Sequence, residues 1–239
     1  MLGPPTPVQS SQRILVVDDD QAILRLVSEK LDRAGFEVLS ASSGYEGLDL
    51  IERHGLPHLA IVDLMMPLMN GFQFCQTVQQ YSDLPIIMLT AIDEEETVIR
   101  GLERFAEDYV TKPFSPRELV ARVRRVLRRV GNFTYTLAPL TRVDERLTVD
   151  FAHQQILVNN QTVALTPTET KLLYILMRDA GRIVTTDFLL QRLWPLEEVF
   201  EDTLRVHIYR LRQKAEETPA QPRYILTERG IGYKFPVYR

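Results

Sequence analysis

Two kinds of hydrophobic pattern alternate through the first half of the chain. Ile14–Val17, Leu59–Val62 and Pro85–Leu89 are continuously apolar, and Tyr109–Thr111 is a shorter run of the same kind. Such runs suit strands buried on both faces of a parallel sheet. Phe36–Leu39 reads as one more short strand. Between the runs, apolar residues recur at helical spacing. Ile23, Leu24, Val27 and Leu31 follow a capping Asp20 and stop at Gly35. Gly44–Arg53 and Gly71 to about Tyr81 predict two more helices. Asp93 caps a predicted fourth, with Glu94, Glu95 and Glu96 favourable to its dipole. A fifth opens at Pro116, behind Ser115 as cap, with Glu118 completing a capping box. It carries Leu119, Val123, Val126 and Leu127 on one side and six arginines largely on the other. Strand–helix alternation from Arg13 to Arg129 predicts an α/β fold, a doubly wound five-stranded parallel sheet.

The pattern breaks after Arg129. Residues 130–141 follow neither period and contain Gly131, Asn132 and Pro139, which marks a linker whose Phe133 and Tyr135 can pack on a domain. From Arg142 short strands take over: Leu147–Val149, Gln155–Val158 and Val163–Leu165, with a turn at Asn159-Asn160. Thr166-Pro-Thr-Glu169 is a helix start with cap, first-position proline and capping box, and Gly181 is its stop. Further helices run from about Thr186 to Trp194 and from about Asp202 to Glu217, separated by a loop from Pro195 to Phe200. Tyr224–Leu226 and Tyr233–Phe235 form a terminal hairpin. Strands, three helices and a hairpin make an α+β winged helix-turn-helix domain over 142–239.

Length and composition change this picture little. With 239 residues, 45% of them hydrophobic, the chain fits two domains, each with its own core. Residues 1–12 are rich in proline and serine, without a signal-peptide apolar region, and read as a disordered leader. With no apolar run approaching a membrane span, the expected location is the cytoplasm. The single cysteine, Cys75, excludes an internal disulfide and falls on a helix face with Phe72 and Val78, where packing is its role. Residues 13–129 carry 14 basic and 19 acidic side chains, hence −5; the remainder carries 14 and 13, hence +1, and the two sum to the chain's −4. A nucleic-acid partner must therefore be argued from where the basic residues fall.

The candidate chemistry lies where the strands end. Asp18-Asp19-Asp20 follows the first run, Asp63 ends the central one, Thr90 ends the next, and Lys112-Pro113 follows the last. Open α/β sheets bind ligands at this carboxyl edge, and a buried lone aspartate would cost several kcal/mol. Asp63 alone reads equally well as a turn cap before Pro67. Taken in order, each at a strand end, these motifs resemble the receiver domain of two-component response regulators, and the second half resembles the OmpR/PhoB subfamily. The resemblance implies that Asp63 is the phosphoacceptor, taking a phosphoryl group from a sensor histidine kinase. It implies Mg²⁺ held by Asp18, Asp19, Asp63 and the backbone carbonyl of Met65. Thr90 and Lys112 would stabilise the transferring group, Thr90 and Tyr109 would switch together, and Pro113 would follow a cis peptide. A phosphatase of the haloacid-dehalogenase type also uses a strand-end aspartate and Mg²⁺. It needs a second acid two residues later, where this chain has Met65. No catalytic activity beyond the acceptor's own phosphorylation and dephosphorylation is expected.

On the last helix, Leu204, Ile208, Leu211 and Ala215 form one stripe. The other side carries Arg205, Val206, Tyr209, Arg210 and Gln213, flanked by Arg212 and Lys214, with acids only at the helix ends. A merely solvated face would mix signs and lack an exposed valine and tyrosine. The resemblance makes this the recognition helix, with Arg210 reading guanine and Val206 a thymine methyl. His207 packs or touches phosphate, Arg229 at the hairpin tip enters the minor groove, and Tyr233 joins the DNA contacts. Trp194 suits either the core or the DNA backbone. A protein-binding output would lack the basic face, and a constitutive DNA binder would lack the acidic pocket. The family's further properties are expected here: double-stranded DNA with direct-repeat or tandem half-sites, RNA polymerase as partner, and a homodimer on phosphorylation. Its dimer face joins the helix after Asp93, the strand of Tyr109 and the helix after Pro116. Asp108 and Arg122 match one ion pair there, and Glu118 an acidic position of another. Val98 stands where Glu118's basic partner is usual, and Phe105 replaces a glycine. The contact is expected to be more apolar than usual.

Overall fold

The computed structural model describes residues 12–91, 106–130, 140–195 and 199–238. The leader through residue 11, the helix expected after Asp93, Val98, Phe105, the linker core 131–139 and part of the loop after Pro195 lie outside the described residues.

The apolar runs become β1 (Arg13–Val17), β2 (Glu37–Ala41), β3 (Leu59–Asp63), β4 (Ile86–Ala91) and β5 (Asp108–Lys112), all parallel, in the order β2-β1-β3-β4-β5. Alternation sends successive side chains to opposite faces. Ile14, Val16, Leu59, Ile61, Ile87 and Leu89 face α1 (Gln21–Arg33) and the helix Pro116–Val130, which we label α4. Leu15, Val17, Ala60, Val62, Ile86 and Met88 face α2 (Gly44–His54) and α3 (Gly71–Gln79). Both faces of the three inner strands, β1, β3 and β4, are covered, so these read as unbroken apolar runs. Asp20 caps α1 by accepting from the backbone N–H of Ala22 at 2.7 Å and of Ile23 at 3.3 Å. Glu118 forms an ion pair with Arg122 one turn later, at 2.6 Å.

In the second half, β6 (Thr141–Arg142), β7 (Leu147–Asp150), β8 (Gln155–Val158) and β9 (Gln161–Ala164) form an antiparallel sheet in that order. The tight turn places Asn159 and Asn160 at φ of 50° and 65°, a region that asparagine tolerates. Because the turn has only two residues, β9 starts earlier than Val163. Next come α5 (Pro167–Arg178), β10 (Ile183–Thr185), α6 (Thr186–Leu193) and α7 (Glu201–Ala215). The hairpin of β11 (Leu226–Glu228) and β12 (Gly232–Lys234) completes a sheet of order β10-β12-β11. The capping box of Thr166 and Glu169 is formed, and α5 is buried from Leu172 to Arg178. A Cβ at Gly232 would lie 2.1 Å from the Val184 carbonyl O, so only glycine lets β12 cross β10 this closely. Val130 belongs to α4 and Thr141–Arg142 pairs with β7, which leaves residues 131–140 between them.

The halves meet along a charged seam. Asp83, just before β4, receives Arg178 of α5 at 2.7 Å and Arg192 of α6 at 3.0 Å. Arg192 also reaches Glu107, just before β5, at 2.7 Å, and Glu107 pairs with Arg129 of α4. At another point His153 Nε2 lies 3.2 Å from Glu52 of α2.

Candidate functional sites at the sheet edge and the winged helix

Three carboxylates converge at the carboxyl edge of the parallel sheet. Oxygens of Asp18, Asp19 and Asp63 lie within 4.8 Å of one another, with Asp18 and Asp63 buried and Asp19 exposed. Their positions follow from the fold: Asp63 ends β3, and β1 and β3 run side by side in register. Lys112, from the end of β5, places its Nζ 2.8 Å from Asp63 and 2.9 Å from Asp18. A solvated loop lysine would not sit between two buried acids. Burial works against the ammonium, yet these carboxylates hold it above the ordinary lysine range. Asp63 is held above the ordinary aspartate range by burial, opposed by the Lys112 hydrogen bond and reinforced by the charges of Asp18 and Asp19. One ammonium does not neutralise three carboxylates, and such a donor set can hold a hard divalent cation.

The remaining receiver residues fall around this edge. Thr90 is buried near the end of β4, in register with Thr111 of β5. Tyr109 is half-buried and packs against the α2–α3 side of the sheet. The Met65 side chain is exposed, as suits a residue expected to act through its backbone. Lys112-Pro113 is a cis peptide. Asp20, by contrast, turns away from the group to cap α1, while its own N–H donates to Asp18 at 2.9 Å. Gly71 lets α3 start directly against this edge, since a Cβ there would lie 2.3 Å from the Asp63 carbonyl O.

The residues expected at a dimer face pair within the chain. Arg122 Nη1 lies 3.1 Å from both oxygens of Asp108, Arg125 lies 2.7 Å from the same carboxylate, and Glu118 takes the other arm of Arg122. The expected shortage of a basic partner for Glu118 is therefore met from its own helix.

The winged domain divides the expected DNA contacts into two sets. Arg205, Val206, Tyr209, Arg210 and Arg229 are exposed. Of these, Arg205, Tyr209 and Arg229 line a cleft of about 780 Å³ between α7, the start of α6 and the hairpin. Arg205 is braced by Glu201 at 2.9 Å. His207 is partly buried, with Trp194 packed 5.3 Å away between ring centres. Trp194 thus belongs to the packing of α7. Two of the expected contacts are engaged within the fold. Tyr233 is 6% exposed and packs on the core, while it also lines the cleft. Arg212 does not project freely: its guanidinium donates to the Ile225 carbonyl and to the Thr227 hydroxyl. Lys214 is likewise tied to Glu169 at 2.6 Å and to the Ala164 carbonyl at 3.0 Å. The sequence reading missed the seam residues Asp83, Glu107, Arg178 and Arg192, and Glu216. Nothing local marks them, since their partners are distant in sequence or lie in the backbone.

Residues 14–124 match the response regulator receiver domain family, and residues 160–235 match the family of transcriptional regulatory protein C termini. The probable transcriptional regulator ycf27 of Pyropia yezoensis is 44% identical over 230 residues, 94% of either chain. The DNA-binding response regulator MtrA of Mycobacterium leprae is 39% identical over 224 residues, covering 93% of this chain and 97% of that one. Among solved structures, response regulator DrrB, a Thermotoga maritima OmpR/PhoB homologue, is 33% identical with a TM-score of 0.45, covering 95% of this chain and 100% of that one. Among the described residues no helix is long and apolar enough to cross a membrane. With a receiver domain and a transcriptional regulatory domain on one chain, the protein belongs to the response regulators of the OmpR/PhoB family.

Proposed function

We propose that this DNA-binding regulator is controlled by phosphorylation of Asp63. A carboxylate oxygen of Asp63 attacks the phosphorus of a kinase phosphohistidine. The P–N bond breaks, the imidazole leaves with the bonding pair and takes up a proton, and an acyl phosphate remains on Asp63. Lys112, 2.8 Å from Asp63, offsets charge on the transferring oxygens, and Thr90 donates a hydrogen bond to them. The observation that carries this reading is the group of Asp18, Asp19, Asp63 and Lys112 at one strand edge.

The same carboxylates fit Mg²⁺. Asp18, Asp19 and Asp63 would hold it with the Met65 carbonyl, and when bound it supplies positive charge to the phosphoryl oxygens. Thr90 and Tyr109 shift together on phosphorylation, and the face carrying Asp108, Glu118 and Arg122 pairs two copies. For those residues to join two chains, the internal pairs of Arg122 must exchange for equivalent ones across the two-fold axis. The dimer sets two winged domains on tandem half-sites, where exposed Arg210 and Val206 read bases and Arg229 reaches the minor groove. RNA polymerase is then the partner at the promoter.

Asp63→Asn tests the reading, because an amide is a poor nucleophile. With acetyl phosphate and Mg²⁺, intact mass is expected to show a phosphoryl adduct on the native chain and none on the variant. An equally abundant adduct on both would remove Asp63 from its role.

A further inference from the structure

The backbone leading into the hairpin is held by two side chains, one on the recognition helix and one at its end. Arg212 and the residue after α7, Glu216, are four apart and so share a face. That spacing usually pairs an arginine with a glutamate. Among the described ion pairs these two do not meet, and each is spent on backbone instead. Arg212 Nε and Nη2 donate to the Ile225 carbonyl at 2.9 and 2.6 Å, and Nη2 also donates to Thr227 Oγ1 at 2.8 Å. Glu216, 5% exposed, accepts from three successive backbone N–H groups: Arg223 at 2.8 Å, and Tyr224 and Ile225 at 2.9 Å each.

Ile225 is fully buried, and both its peptide groups end on these side chains, the N–H on Glu216 and the C=O on Arg212. Residues 223–225 precede β11 and take no part in the β11–β12 ladder. Buried peptide groups need partners, and here the recognition helix supplies them. The grip falls at the base of the hairpin, and Thr227 lies inside β11 opposite Tyr233. Arg229, at the tip, is therefore placed relative to Arg210 through a short rigid path: helix, two side chains, β11.

Resting on the reading that α7 and the hairpin both contact DNA, we propose that Arg212 and Glu216 are positioning residues. They fix the distance between the helix and the wing, and so fix which two base steps are read together. Arg212 acts here through the wing rather than by touching DNA.

The mild variant Arg212→Lys keeps the charge and loses the fork; Glu216→Gln replaces an acceptor with an amide, so one edge of the grip becomes a donor facing donors. Both are made in the full-length protein. Backbone amide exchange is followed by NMR in the free protein. Residues 224–234 are expected to exchange at least about tenfold faster in Arg212→Lys, with α1 and α5 unchanged. Binding is then measured to a duplex enriched from a randomised pool by the native protein, with Arg229→Ala added to each background. Arg229→Ala is expected to weaken binding about tenfold in the native background and less than about twofold beside Arg212→Lys. Native exchange rates in Arg212→Lys would overturn the clamp. Fast exchange with equal Arg229→Ala losses in both backgrounds would reduce it to a fold contact and overturn the positioning role. If Arg229→Ala is silent in the native chain, the minor-groove reading of the wing falls, and the exchange arm alone decides the clamp.

Discussion

Asp83→Ala should separate the two halves of the molecule without unfolding either. The Asp83 carboxylate is the acceptor for two guanidiniums from the winged domain, Arg178 at 2.7 Å and Arg192 at 3.0 Å. The side chain of Arg178 is 4% exposed and that of Asp83 8%, so water does not reach the pair. Removing one partner of a buried ion pair costs about 3–5 kcal/mol, because the other charge stays desolvated. Here each arginine keeps a second acid: Arg178 has Asp179 at 3.1 Å, and Arg192 has Glu107 at 2.7 Å. That lowers the expected cost below this range, to about 2–3 kcal/mol. Lys171 adds to it. Burial already holds its ammonium below the ordinary lysine range, and Asp83 is the charge that offsets this. Opening the seam rehydrates all three cations, so the cost is borne only while the halves are docked. A bias of about 2–3 kcal/mol is about 30- to 150-fold in the docking equilibrium. NMR relaxation of the full chain reads this directly, since docked halves tumble as one body and released halves tumble faster. Native tumbling together with a native melting profile in Asp83→Ala would refute the reasoning.

Three further expectations follow from single sites. Burial lowers the His58 pKa to about 4, with its Nδ1 accepting from the Arg13 N–H at 2.9 Å. The unfolded chain therefore binds an extra proton between about pH 6.5 and 4, and stability falls across that window as pH drops, by about 3 kcal/mol in all; urea midpoints for His58→Gln should lose that part of the slope, and an unchanged slope would refute it. Gly71→Ala forces a methyl to 2.3 Å from the Asp63 carbonyl, which should cost about 1–3 kcal/mol and slow labelling by acetyl phosphate; native stability by denaturation would show that α3 shifts freely. Arg210→Ala should cost about 1–3 kcal/mol on the enriched duplex and little on random DNA, measured by anisotropy, and equal losses on both would mean a phosphate contact only.

The parallel sheet was legible because its three inner strands are buried on both faces, and apolar runs of four or five residues are too short for a helix. The strand-end residues were legible for a related reason: charged groups beside such runs have few places to go. The shortest strands were not. Thr141–Arg142 and Ile183–Thr185 have two and three residues, too few for a period, and exist because β7 and β12 offer them free edges. Nor could the pattern tell which basic residues of α7 face outward to a ligand. Arg210 and Arg212 look alike on a helical projection. What separates them is the Ile225 carbonyl, supplied by a segment that joins the helix only in the folded domain. The Asp83–Arg178 pair is hidden in the same way, its partners 95 positions apart.

In a parallel sheet all strands enter on one side and leave on the other. Asp83 and Glu107 stand just before β4 and β5, whereas Thr90 and Lys112 stand at or near their far ends. Strands of six and five residues span about 17–20 Å. The winged domain therefore clasps the entrance side of the sheet at these two strands, and Asp63 opens on the exit side. On the reading that Asp63 is the phosphoacceptor, a donor protein would meet it on the side away from the clasp, so delivery of a phosphoryl group and release of the winged domain need not compete for the same space.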